Sequence, residues 1–389
     1  MSRVLPKLSW EQVCARRLER QWLFTPAPDA RPADVAARLG AVHAQVLSAT
    51  ELSLALRTAG GTRTDVRAAL WHERSLIKTR GPRGTVHLWA TRDLPLWTRA
   101  LAATPAPPHL RGANALLTPE QTEAVVDAIA DALADAELTT DELTEAIVER
   151  AGPWAGDLVM EAFQGKWPRW IQAMDAASRR GVMCFGPNRG RKTTYTNPHR
   201  WLPGFEPPAA DPAAARAALA DVARRYLYAF GPATAQQFAQ WLAVSPRWAG
   251  DLFDSMAGDL EQVDIEGTTA WVVAGDTAAP AAPPAGVRLL PYFDAYAYLL
   301  SGPLRDRLYP GRAAERVVGN HQVLVIDGVV AGLWHQRRAG RNLDITVEPL
   351  DPLSAARSRE LDAAVARVGQ ILEAVPRLKI GEVTVGSHA

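Results

Sequence analysis

Cysteine is nearly absent from this 389-residue chain: Cys14 and Cys184 are its only two, far apart and each in an apolar or helical context. That count excludes a disulfide framework and a four-cysteine zinc or iron–sulfur site. The eight histidines are scattered without ligand spacing such as His-x-x-x-His, so neither a metal centre nor a cofactor is expected. Charge of one sign is missing too, since 43 Lys and Arg against 42 Asp and Glu leave a formal net charge of +1. Coating nucleic acid by bulk charge is thereby excluded, and any cations that face DNA must be concentrated locally. No run approaches the roughly 20 apolar residues of a membrane span. Met1-Ser-Arg-Val-Leu-Pro-Lys7 shows no apolar region before a small-residue cleavage site. The expectation is a cytoplasmic protein without membrane contact.

What is present is the composition of a folded protein, 48% hydrophobic and 22% charged, in a chain longer than one core usually serves. Ser9-Trp-Glu-Gln12 has capping-box spacing and predicts a helix over 10–22. Pro32 with Val35, Leu39 and Val42 restarts a helical period that Gly40 ends or kinks, and a third helix is predicted over 45–56. Apolar runs over 75–79 and 84–89 then flank the turn Gly81-Pro82-Arg83-Gly84. Helices followed by such a hairpin predict a winged helix. A second copy is predicted from a helix starting at 138–143, another over 167–180, and strands over 182–185 and 193–196 around a polar tip. A third has a helix over 213–229 and strands over 260–265 and 270–273 around Gly267. Beyond an Ala/Pro linker at 278–286, Asp327-Gly328 between two apolar runs signals a type I′ hairpin. A strand over 343–347, a helix over 352–375 and a strand over 379–385 complete the chain. The predicted class is α+β, with three tandem winged-helix modules over 1–110, 111–205 and 206–276. A small, mostly antiparallel β-barrel or sheet with one helix is predicted over 287–389.

His43 and Gln45 stand two residues apart. In an extended loop their side chains share a face, whereas in a helix they diverge. A joint chemical role for them requires a non-helical turn after Gly40. The plainer alternative is that His43 caps one helix and Gln45 begins the next. Basic residues gather at Arg74, Lys78, Arg80 and Arg83 near the first hairpin, at Arg189, Arg191 and Lys192 in the second, and at Arg337, Arg338 and Arg341 after the C-terminal hairpin. Wings of this kind meet phosphates, although a solvated hairpin tip also carries such charges. Of the tryptophans, Trp22, Trp170, Trp241 and Trp248 fall in helical settings and are assigned to the core. Trp89 and Trp334, at strand ends beside basic residues, are the candidates for base stacking.

Taken together, several segments resemble the AlkZ/YcaQ-like family of winged-helix DNA glycosylases. Val42-His-Ala-Gln45 resembles its catalytic motif, two polar residues either side of an apolar one. Thr79 with Arg83-Gly-Thr-Val-His-Leu88 resembles its first wing, and Tyr195-Thr-Asn-Pro-His-Arg-Trp-Leu-Pro203 the close of its second. Phe230-Gly-Pro-Ala-Thr-Ala-Gln-Gln-Phe238 resembles the opening of its third module, and Leu289-Leu-Pro-Tyr-Phe-Asp-Ala-Tyr296 the start of its C-terminal barrel. The resemblance spans nearly the whole chain. His43 is a departure, because better-known members carry Gln there; a histidine titrates near about pH 6.5 and can act as a true base where glutamine cannot.

The resemblance implies hydrolysis of the N-glycosidic bond of cationic alkylated purines in double-stranded DNA, N7-alkylguanine foremost. Bulky adducts of a DNA-alkylating natural product, removed as self-resistance, fit the same chemistry. No lysine lies near the motif to form a Schiff base, so a monofunctional, monomeric enzyme at the nucleoid is expected. A non-enzymatic transcription regulator built on the same modules, and a protein-interaction scaffold, are the alternatives.

Overall fold

Reciprocal capping starts the first helix, Trp10–Arg20, of the computed structural model, which describes residues 4–107, 110, 112–162, 165–297 and 303–386. The Ser9 amide donates to Gln12 Oε1 at 2.9 Å, and the Gln12 amide to Ser9 Oγ at 3.2 Å. The same device recurs at Thr118 with Gln121 and at Thr139 with Glu142. Each cap satisfies amides that the first turn leaves without partners, an effect of about 1 kcal/mol.

One order of elements occurs three times along the chain: a helix, a short extended stretch, two more helices and a hairpin. It runs first through Pro32–Leu39, Val42–His43, Leu47–Ala55, Arg63–Trp71 and the hairpin Leu76–Arg80 with Val86–Ala90. It returns as Pro119–Leu133, Glu137–Thr139, Thr140–Ala151, Met174–Arg179 and the hairpin Cys184–Arg189 with Lys192–Thr196, and here Glu137–Thr139 joins the hairpin as its third strand. It ends as Pro212–Phe230, Ala235–Leu242, Pro246–Ser255 and the hairpin Leu260–Ile265 with Thr268–Val273, to which Ala233 adds a single bridge at Trp271. In the first two copies a short strand follows the first helix, and in the third the single bridge at Ala233 takes that place.

The chain divides into two compact units, and each mixes helix and sheet. One comprises residues up to 67, 224–240 and from 246 onward. Its core joins Val13, Leu18, Val263, Val272, Leu290, Val325 and Leu333. It also holds a five-stranded sheet formed, in spatial order, by Val287–Leu290, Gln322–Ile326, Val329–Ala339, Asn342–Pro349 and Val375–Ile380. Asp327 and Gly328 have φ of 49° and 83°, the left-handed pair that a type I′ turn demands. Neighbouring strands are antiparallel except the last pair, which is parallel and connected through the helix Ala355–Ile371. Of the expected barrel or sheet, the described residues form a five-stranded sheet whose first and last strands do not pair with each other, and its final strand lies earlier than the predicted 379–385.

The other unit comprises residues 68–223 and 241–245. Its core includes Trp89, Trp97 and Trp170, and Trp89 and Trp97 stack with centroids 5.2 Å apart and planes at 7°. The helix predicted over 167–180 starts later than expected: Trp167 and Pro168 end a small hairpin, Leu158–Ala162 with Gly165–Pro168, and the 3₁₀ stretch Arg169–Ala173 leads into the short helix Met174–Arg179. Both cysteines are buried, and burial pushes the Cys14 thiol up to about 11 and the Cys184 thiol higher still, so neither is a ready nucleophile.

Candidate active site

Gly40 ends the helix Pro32–Leu39 with φ 76° and ψ −63°, a conformation that a side chain would strain. The backbone then runs extended through Val42–His43 and bends at Gln45 and Val46 before the helix Leu47–Ala55 begins. Val42 and Ala44 are buried, His43 is half-buried and Gln45 is exposed. This alternation puts His43 and Gln45 on the same outward side, which a continuous helix would not do. The non-helical turn that a joint role requires is present. One turn into the following helix, the Thr50 hydroxyl donates to the His43 carbonyl at 2.8 Å, fixing the strip from beneath.

Against the His43 ring lies Phe293, with centroids 4.3 Å apart and planes tilted by 31°. Phe293 has φ 59°, and the next residue, Asp294, is wholly buried. Its carboxylate accepts from the Ser53 hydroxyl at 2.6 Å, from both terminal nitrogens of Arg57 at 2.9 Å, and from the Tyr296 amide at 3.0 Å. Arg57, equally buried, also donates to the Ser53 carbonyl and to Gln21. Burial alone would raise the Asp294 carboxyl. The Arg57 charge, with the hydrogen bonds from Arg57, Ser53 and the Tyr296 amide, outweighs burial and holds it below the usual carboxylate range. Removing one partner would strand the other charge, at a cost of about 3–5 kcal/mol. Because the folded value is depressed, this stabilisation is present above the unfolded carboxylate range and is lost as pH falls through the folded value.

Glycosidic hydrolysis passes through a sugar with oxocarbenium character and needs a water aimed at C1′. A half-exposed imidazole beside an exposed amide supplies one group able to take a proton and one able to orient water. Phe293, Asp294 and Arg57 carry no signal in the sequence. The segment 289–296 is visible as a unit, but nothing local ties Asp294 to an arginine 237 positions earlier.

The structure disposes of the basic candidates differently. Arg74 donates to the Arg200 carbonyl at 2.7 Å and lies over Trp201. Lys78 sits over the Phe185 ring at 4.7 Å, and burial lowers its pKa. Arg80 donates to the Gly84 carbonyl at 2.7 Å, and burial lowers its pKa as well. Arg83, at φ 64°, donates to the Trp241 carbonyl at 2.5 Å and meets His87 Nε2 at 3.2 Å. His87 Nδ1 lies 2.9 Å from the Thr85 carbonyl, which makes Nδ1 the donor and Nε2 the acceptor. Gly81 is obligatory beneath this turn, because a Cβ there would come within 2.8 Å of the Trp89 ring.

In the second hairpin Arg189, Arg191 and Lys192 are all exposed. Arg189 pairs with Glu142 at 2.9 Å and Lys192 with Asp141 at 2.7 Å. Arg337 is exposed and only loosely paired with Asp344 at 3.7 Å, whereas Arg338 donates to the carbonyls of Leu372 and Glu373 just past the helix Ala355–Ile371. Arg341 is exposed beside them. The two tryptophans proposed for base stacking are core residues instead. Trp89 is fully buried against Trp97, and Trp334 is buried with its indole N–H donating to the Leu290 carbonyl at 2.8 Å. Trp22 and Trp248, assigned to the core, are only half-buried, and Trp22 lies in a turn rather than a helix.

Comparison with known proteins places this geometry in context. A family model described as DNA glycosylase AlkZ-like matches residues 36–371. An interstrand DNA cross-link repair glycosylase of Streptomyces sahachiroi is 34% identical over 362 residues, covering 84% of this chain and 88% of the relative. The solved structure of the Streptomyces sahachiroi DNA glycosylase AlkZ superposes with a TM-score of 0.77 at 29% identity, covering 96% of this chain and all of that one.

Proposed function

The chain belongs to the AlkZ-like DNA glycosylase family, and from that premise we propose that it hydrolyses the N-glycosidic bond of cationic N7-alkylguanine in duplex DNA. The observation that carries this reading is the extended strip after Gly40, which turns His43 and Gln45 to one side. His43 takes a proton from the attacking water, and the Gln45 amide oxygen orients that water or the sugar. A purine alkylated at N7 is already cationic and departs without a strong general acid. That suits a site built on one histidine and one amide rather than on two carboxylates.

The thrice-repeated order of helix, short strand or bridge, two helices and hairpin supports reading the chain as three winged-helix modules. The exposed cations Arg189, Arg191, Lys192, Arg337 and Arg341 are the proposed phosphate contacts. Arg74, Lys78, Arg80, Arg83 and Arg338 have intramolecular work already and contribute less. The Streptomyces relative is named an interstrand DNA cross-link repair glycosylase, which supports extending the proposed substrate class to cross-linking adducts; removal of bulky adducts of a DNA-alkylating natural product, as self-resistance, belongs to the same proposal. The enzyme works as a monomer at the nucleoid and forms no covalent intermediate with DNA.

The experiment incubates the protein with duplex DNA carrying N7-methylguanine. Free N7-methylguanine and an abasic strand that breaks only after heat or alkali are expected. Binding of that duplex without release of base would favour a transcription regulator, and borohydride trapping of a protein–DNA adduct would overturn the monofunctional mechanism.

A further inference from the structure

We propose that Phe293 is a positioning residue of this site, setting the direction of the His43 ring by lying against it. The inference rests on the catalytic reading of His43. Three observations carry it. The rings lie close, with centroids 4.3 Å apart and a 31° tilt, so one face of the imidazole has a flat wall beside it.

The backbone at Phe293 is left-handed, with φ 59°, a conformation costly for a residue with a bulky side chain and kept only where the surroundings impose it. What imposes it is the next residue: the Asp294 carboxylate is held by Ser53, by both terminal nitrogens of Arg57 and by the Tyr296 amide, all inside the protein. Ser53 stands three residues beyond Thr50, whose hydroxyl holds the His43 carbonyl. One helix, Leu47–Ala55, thus fixes both the main chain of the histidine and the main chain that carries the phenylalanine.

The third observation concerns where the side chain goes. Leu290, Tyr296 and Ala297 on the same segment belong to the hydrophobic core, whereas Phe293 does not and is only half-buried. Core filling therefore leaves the outward ring without a reason. A wall that restricts the imidazole accounts for it, on a backbone that the Asp294 anchor holds in place. A ring nitrogen swung away from the attacking water by about 1 Å slows chemistry on the order of a hundredfold.

The test uses the full-length protein and duplex DNA containing N7-methylguanine, with base release followed under single turnover. Phe293→Ala is expected to slow release by about ten- to a hundredfold while duplex affinity stays parental. Phe293→Leu, which keeps apolar volume but no flat face, should be slow as well, and Phe293→Tyr should recover most of the rate. In the imidazole NMR spectrum, the His43 ring protons should lose the ring-current displacement in the Ala and Leu variants and keep it in Tyr. Parental rates in Phe293→Ala and Phe293→Leu, with His43→Ala inactive, would overturn the positioning role and leave the catalytic reading intact. A parental rate in His43→Ala would overturn both. Equal slowing by Ala, Leu and Tyr, with the His43 resonances unmoved, would also contradict the positioning role.

Discussion

The hairpins Leu76–Ala90 and Cys184–Thr196 lie in one compact unit and carry comparable numbers of cations, yet they use them in opposite ways. In the first, Arg80 and Arg83 point their guanidinium groups at carbonyls of the chain itself, and Lys78 lies over an aromatic ring. In the second, Arg189, Arg191 and Lys192 stand exposed; Arg189 and Lys192 pair with exposed carboxylates of the helix Thr140–Ala151, and Arg189 also donates to the Glu137 carbonyl at 2.8 Å. Such surface pairs contribute little to stability and exchange readily for other anions. A cluster of basic letters is therefore two different things. At the first hairpin it holds a turn together, and at the second it is exposed charge, which we propose meets the phosphate backbone.

The largest effect should come from reversing the available charge. Replacing Arg189, Arg191 and Lys192 together by Glu should weaken duplex binding across unrelated sequences. It should also flatten the log–log salt dependence by about 0.9 for each phosphate that these side chains no longer neutralise. Melting temperature should barely move. An unchanged salt slope would erase the distinction between the hairpins.

Next in size, Arg83→Ala removes the donor to the Trp241 carbonyl and should destabilise the protein by about 1–3 kcal/mol, read as a lower denaturation midpoint. Duplex affinity of the folded variant should stay near parental. A large drop in affinity at parental stability would show that this turn faces DNA after all.

The smallest effect is at Lys78. Burial depresses its pKa, so its ammonium form disfavours the folded state at neutral pH, and that deficit fades as pH rises through the folded value toward the ordinary lysine range. Lys78→Met should equal or exceed parental stability at pH 7, by up to about 1 kcal/mol. The difference should shrink in denaturation curves taken at alkaline pH. A variant less stable than the parent at pH 7 would mean that the attraction to the Phe185 ring outweighs desolvation.

Sequence carried the local devices well. Ser9 with Gln12 marked a helix start, Asp327-Gly328 a tight hairpin, and Gly40 the break that lets His43 and Gln45 share a side. Each depends on a few neighbouring residues whose conformational preference is strong. Glu137–Thr139 was hidden because three residues make a strand only when a hairpin edge is there to pair with them, and Thr139 doubles as a helix cap. The helix expected over 167–180 began too early because Trp167 fits the helical period of the residues after it, although Trp167 and Pro168 end a strand.

Trp89 and Trp334 looked available because basic residues neighbour them in sequence, although both strands are covered on both faces there, Val86–Ala90 throughout and Leu333 together with Trp334. The pair Arg57 and Asp294 was out of reach for a different reason. Its energy comes from burial and from closure across 237 positions, neither of which leaves a local mark.

Single-turnover release of N7-methylguanine from duplex DNA, measured for the parent and for His43→Ala over a range of pH, tests the catalytic assignment most directly. The parent should lose activity toward acid pH, because a protonated imidazole cannot take a proton from water. His43→Ala should be slower on the order of 10² to 10⁴, with parental duplex affinity and a flat profile on the acid side. Parental rates in a normally folded His43→Ala protein, or a rate that falls only in step with DNA binding, would contradict it.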